Sequence, residues 1–175
     1  AEDRWGNPAA APGRPLRLVA SAPIAGLPET VSFAAGSPVV TIEGLAAGEP
    51  GDLSIALAEE DGRVLAQSNP LRVCADTPLL PYWGDLHGQS EETIGTSSAV
   101  AYFRFARDRA FLDVVGHQGN DFQITRAFYD ELNRLTREFH RPGHFITLPG
   151  YEWSGNTGLG GDRNVYFADE TAVLH

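Results

Sequence analysis

The second half of the chain alternates apolar runs of strand length with two longer stretches of helical period, and this alternation limits what it can fold into. Residues 82–86 (YWGDL), 111–115 (FLDVV), 144–148 (HFITL) and 164–167 (NVYF) read as strands. Between them, Ala99, Val100, Phe103, Ala106 and Ala110 recur at helical spacing, with Arg104, Arg107 and Asp108 outside that stripe. Thr96, Ser97 and Ser98 are N-cap candidates for this segment. A second amphipathic stretch carries Ile124, Phe128, Leu132, Leu135 and Phe139 on one face and stops at Arg141-Pro142-Gly143. The order β-loop-α-β-loop-α-β-loop-β predicts an α/β fold with parallel strands joined by helical crossovers.

The first half has a different texture. Residues 1–16 are rich in Ala, Pro and Gly without periodicity and read as an extended arm. Residues 17–78 hold short β segments separated by turns, including a hairpin signal at Asp61-Gly62 between 53–60 and 63–67. This region is expected to form a small antiparallel, β-sandwich-like module. The remainder, 79–175, is the α/β part.

Charge and composition exclude several classes of function. A net charge of -10 leaves no clustered basic face for nucleic acid and no attraction to an anionic membrane. No run of about 18 apolar residues is present, so no spanning helix is expected. Cys74 is the single cysteine, which rules out an intrachain disulfide. The expectation is a soluble protein of the bacterial cytoplasm, or of the periplasm or exterior after signal removal. The sequence contains no Met, so its first residue is not expected to be a translation start.

Three loops that follow strands carry the chemistry: YWGDLHGQSEE, VVGHQGND and PGYEWSGNTGLGGDRN. They place His87, His117 and Glu152 beyond apolar runs, at the carboxyl ends where α/β folds build their sites. Imidazole and carboxylate donors suit Zn, Mn or Fe, so these three are candidate metal ligands. Asp85 shares the side of the strand end with His87, either as a ligand or as a residue orienting one. Glu152 lies between Tyr151 and Trp153, a setting that calls for a metal or an Arg partner such as Arg163. Gln89, Asn120, Asp162 and Arg163 are candidate substrate contacts, with Arg163 as an anion clamp and Asn120 also suited to shaping a turn. Asp121 or Glu92 is a candidate proton shuttle. The Gly-rich segment 155–161 lacks the GxxxxGK[ST] order, no GxSxG occurs, and His140 and His144 read as helix-end residues.

The motifs GDLH at 84–87, GH at 116–117 and GYEW at 150–153 together resemble the PHP (polymerase and histidinol phosphatase) superfamily. The run from Tyr82 into the second helix is similar to a bacterial domain-of-unknown-function family related to PHP phosphoesterases, and the resemblance covers residues 81–175. It implies a distorted (β/α)7 barrel, a centre of one to three divalent ions and hydrolysis of phosphate esters. His87 matches the first His of the family's HxH element, His117 a later His, and Glu152 the bridging acid. The chain departs from the pattern at Gln89, where the second His would stand, and at Asp162, near another common His.

The leading expectation is a metal-dependent hydrolase acting on a small anionic phosphoester through metal-activated water. The alternative is a non-catalytic ligand-binding protein, with a β recognition module and a degenerate barrel. Residues 81–175 are about half of the ~200 that such a barrel needs. Completion by the rest of the same polypeptide, or by a second chain, is therefore expected.

Overall fold

A computed structural model describes residues 1–155, 160–169 and 172–174. Gly158, in the Gly-rich segment, and His175 lie outside the described residues. The chain divides into two compact units, Ala1–Leu80 and Pro81–His175.

The first unit is built from β1 (Leu16–Ala20), β2 (Ile24–Ala25), β3 (Thr30–Val31), β4 (Ala46–Ala47), β5 (Gly51–Leu53), β6 (Ile55–Ala58), β7 (Val64–Gln67) and β8 (Leu71–Val73). They form an antiparallel sheet in the order β3-β1-β6-β7 and two two-stranded ribbons, β2-β4 and β5-β8. Gly62 turns the β6–β7 hairpin at φ 89°, a left-handed conformation that glycine adopts without a Cβ penalty. Burial here is thin: Leu16, Val31, Pro38, Leu53 and Ala58 are the buried apolar residues of this unit. Residues 38–45 form no strand. Pro38 lacks a ladder donor and Gly44 sits at φ 75°, and pairing is confined to Ala46–Ala47.

The second unit opens with β9 (Gly84–Gly88), α1 (Ala99–Asp108), β10 (Val114–His117) and α2 (Arg126–Phe139). Then come β11 (Ile146–Leu148), β12 (Gly150–Trp153) and β13 (Arg163–Tyr166). Ser98 caps α1 by accepting from the Ala101 amide, and Thr125 caps α2 by accepting from the Phe128 amide. Arg141 and Phe145 exchange backbone hydrogen bonds across the Pro142-Gly143 turn that ends α2. The two helices bury Ala99, Phe103, Ala106, Tyr129, Leu132, Leu135 and Phe139 in one core with Val115 of β10. Phe103 and Phe139 stack with ring centroids 5.3 Å apart.

The expected (β/α)7 barrel is not formed. Three strands do run parallel, in the order β11-β10-β9, but the sheet is open and the last strand, β13, reverses. β13 pairs antiparallel with β12, in the register Gly150↔Tyr166 to Trp153↔Arg163. The reason is chain length. A parallel return needs a crossover of about a dozen residues or more, usually a helix. Residues 154–162 are too few and too Gly-rich to supply one, so the chain folds back as a hairpin. Outside the three parallel strands, both units consist of small antiparallel sheets, and only two helices occur among the described residues.

Candidate functional site

The β12–β13 hairpin builds half of the site. Directly opposed residues of an antiparallel pair share one face, so Glu152 and Asn164 emerge together. Beyond β10, Asn120 bridges to Glu152 in parallel fashion: the Glu152 amide donates to the Gly119 carbonyl, and the Asp121 amide to that of Glu152. The Glu152 carboxylate, buried to 7% side-chain exposure, then meets three nitrogens through Oε2. Asn120 Nδ2 donates at 2.6 Å, Gln89 Nε2 at 3.1 Å, and His87 Nε2 stands at 3.4 Å.

Asn164 determines which way the His87 ring is protonated. Its Nδ2 donates to the Leu86 carbonyl at 3.3 Å and to the Tyr166 hydroxyl at 3.1 Å, leaving Oδ1 to accept from His87 Nδ1 at 2.8 Å. Tyr166 in turn donates to the Leu86 carbonyl. Burial raises the Tyr166 pKa, against the lowering effect of Asn164. With the proton on Nδ1, a neutral ring leaves Nε2 as an acceptor, and that nitrogen stands 3.4 Å from Glu152 Oε2. Two neighbouring acceptors of this kind suit a shared cation.

Asp85 buttresses this arrangement. Its Oδ1 accepts from the His87 amide at 3.0 Å and its Oδ2 from the Tyr102 hydroxyl at 3.2 Å. Burial first, and Asp85 second, push the Tyr102 phenol well above its ordinary pKa. The Tyr102 ring lies so close to Gly88 that a Cβ there would fall 2.1 Å from its Cζ. A side chain at this strand end would have to displace the Tyr102 ring.

His117 is placed elsewhere. Its ring is 1% exposed and lies edge-on to Tyr102 and Phe128, at 5.9 and 5.8 Å. Nδ1 accepts from the Gly119 amide at 3.2 Å, so Nε2 carries the proton toward Ser90 Oγ at 2.7 Å. Burial pushes its pKa down to about 4, against the opposing fields of Glu92 and Asp85. A bulge separates the two histidines. Val115 pairs with Asp85 but His117 with Gly88, so β9 carries one residue more than β10 over this interval. Regular pairing would have set His117 beside His87. The extra residue re-aims the β9 end.

The other expected residues are distributed as follows. Asp121 Oδ1 accepts from the Ser154 amide at 3.3 Å and Glu92 accepts from the Ala99 amide at 3.2 Å, so both serve backbone groups, Glu92 at the start of α1. Arg163 lies over Trp153, 5.7 Å from the ring centroid, instead of reaching Glu152. Asp162 is exposed next to it. Asn164 and Tyr166 are the residues of this cluster that reading the sequence missed. The only signal was their alternate spacing on an apolar strand, and it becomes meaningful once the register with Glu152 is known.

The fit to a metal is therefore partial. Two ligands bound at about 2.0–2.1 Å to a tetrahedral ion lie roughly 3.4 Å apart, which matches His87 Nε2 and Glu152 Oε2. Asp85 and His117 do not join them: among the described residues, no group of three or more His, Cys, Asp and Glu side chains converges. His87 and Glu152 fit as two donors, with Asn164 and Asn120 holding them from behind.

The comparisons add relatives but no activity. No family model matches the chain, and no solved structure matches it. An uncharacterized protein of Chlamydia pneumoniae is 28% identical over 125 residues, which is 70% of this chain and 20% of that protein. Uncharacterized proteins of Chlamydia trachomatis serovar D and Chlamydia muridarum are 26% and 25% identical over 124 residues, with the same coverage. The chain thus spans about a fifth of the length of the curated relatives it matches. No helix among the described residues is long and apolar enough to cross a membrane.

Proposed function

We propose that this chain carries the ligand pair of a metal-dependent hydrolase, with His87 Nε2 and Glu152 Oε2 as protein donors and a phosphate ester as substrate. One observation carries the reading: an imidazole nitrogen and a carboxylate oxygen face each other at 3.4 Å, with the far side of the ring held by Asn164. The resemblance of GDLH, GH and GYEW to PHP phosphoesterases supplies the substrate class. A divalent Zn, Mn or Fe ion supplies Lewis acidity toward water and a phosphoryl oxygen when bound there.

The chain's own residues orient and exclude. Asn164 fixes the His87 tautomer, Asp85 holds the His87 backbone, and Asn120 keeps Glu152 Oε2 turned toward the ring. Arg163, exposed at the start of β13, offers attraction at a distance to an anionic ester in a chain of net charge -10. Asp121 and Glu92 have no proton-transfer role in this reading, because their carboxylates are committed to backbone amides. The rival reading, a non-catalytic binding protein, is favoured by the number of neutral amides around Glu152.

The test is metal content of the purified chain by mass spectrometry, followed by hydrolysis of a chromogenic aryl phosphate after chelation and after adding Mn back. Metal-restored turnover that disappears in Glu152→Gln is expected. A chain that takes up no metal and shows no turnover supports the binding protein instead.

A further inference from the structure

We infer that the Gln89 side-chain amide fills a cation position beside the His87–Glu152 pair, so that the chain holds one divalent ion there and no second. This rests on the reading of that pair as metal ligands. The inference itself comes from the surroundings of one nitrogen. Gln89 Nε2 has the Gln118 carbonyl at 2.5 Å, Glu152 Oε2 at 3.1 Å and Asn120 Oδ1 at 3.3 Å. A primary amide has two N–H groups, and here three oxygens converge on it. The amide is also not free to turn over. Its Oε1 accepts from Thr93 Oγ1 at 2.5 Å. Exchanging Oε1 and Nε2 would aim an oxygen at three oxygens.

A backbone carbonyl, an amide oxygen and a carboxylate oxygen form an all-oxygen donor set with one negative charge, of the kind that selects hard cations such as Mn or Mg. The partial positive charge of the amide nitrogen satisfies that set without an ion. Besides the Asn120 amide at 2.6 Å, Glu152 Oε2 faces two further positions, this cage and the one shared with His87 Nε2. The Gln89 amide occupies the first. The second takes the ion.

Equilibrium dialysis against MnCl2, with metal counted by mass spectrometry, tests this on the parent chain, Gln89→Ala, Gln89→Glu and Gln89→His. Circular dichroism checks folding, and the three substitutions differ enough in size and charge that one refusing to fold leaves the others. One Mn per parent chain and two per folded variant is the expected result. One Mn in the parent and one in every folded variant overturns the inference and leaves the proposed hydrolase standing. A parent that binds two or more overturns it as well. A parent that binds none while the variants bind one removes the hydrolase reading and upholds the role of the amide. No Mn in any of them removes both.

Discussion

The carboxyl ends of β9 and β10 lie side by side in one parallel sheet, and each carries a histidine, yet the two rings have become different kinds of group. His87 keeps 51% of its side chain exposed and turns one nitrogen to a carboxylate and the other to Asn164. His117 is enclosed by Tyr102 and Phe128 and spends both nitrogens on Gly119 and Ser90. The bulge between Asp85 and Gly88 produces the difference, because one extra residue moves His87 out of register with its neighbour. Residue type and strand-end position, which the two share, do not decide a ring's surroundings. The register between the strands does.

The sharpest way to break this comparison is to remove each ring in turn. His117→Ala empties a fully packed position and strands the Gly119 amide and the Ser90 hydroxyl, a loss of about 3 kcal/mol in stability. His87→Ala removes a half-exposed side chain and changes stability by no more than about 1 kcal/mol. Urea unfolding monitored by tryptophan fluorescence measures both. Equal losses would mean that His117 is not the structural member of the two.

Acid provides a second separation of nearly the same size. The folded-state pKa of His117 lies at about 4, below its ordinary 6.5, so between these values the unfolded chain binds more protons than the native one. Its contribution to stability is complete above pH 6.5 and is lost as pH falls through about 4, to a total of about 3 kcal/mol. Glu92 and Asp85 act on the ring as nearby negative charges, and Tyr102 stays neutral throughout this range. The effect is therefore read as the difference in pH dependence between the parent and His117→Gln. Parallel stability curves for the two proteins would contradict the buried, neutral ring.

Metal affinity should invert the ranking. His87→Ala is expected to weaken Mn or Zn binding roughly 100-fold, about 2.7 kcal/mol, by deleting one of two donors. His117→Gln is expected to change it by less than about threefold, since neither of its nitrogens is available. Isothermal titration on folded material decides this, and a comparable loss in both variants would return His117 to the ligand set.

What could be read from the sequence follows the range of the forces involved. The two helices were legible because Phe103 and Ala106, and Leu132, Leu135 and Phe139, repeat at the helical period, with Ser98 available as a cap. The β6–β7 hairpin was legible because Asp61-Gly62 supplies the φ that a tight turn needs. Strand limits were less so: β9 and β10 run two residues further than the apolar runs, to Gly88 and His117. The barrel was misread because a fourth apolar run has no direction until the loop before it is weighed, and 154–162 is too short for a crossover. Of the site, Glu152 and His87 showed through as ligand types next to strands. The bulge that parts His87 from His117, and the register that sets Asn164 opposite Glu152, are pairing properties that a single strand's sequence does not carry.

The smallest expected effect tests whether Asn164 is what makes His87 a directed donor. Its amide is anchored by Leu86 and Tyr166, so the oxygen facing His87 Nδ1 is held in place before any ion arrives. Asn164→Leu keeps the side-chain volume and removes the acceptor. The ring is then free to place its proton on Nε2, the nitrogen that faces Glu152, and the lone pair is lost for part of the population. Removing such a supporting hydrogen bond typically costs about tenfold or more in metal affinity. The residue is exposed, so stability should change by less than about 1 kcal/mol. Nitrogen-15 NMR of the His87 ring gives the readout that a structural role would not move. The parent should show the proton on Nδ1, and Asn164→Leu a shift toward Nε2, with Asn164→Asp restoring the original tautomer. An unchanged tautomer in Asn164→Leu would assign the orientation of His87 to the Asp85 contact on its backbone, and the difference between the two histidines to the bulge alone.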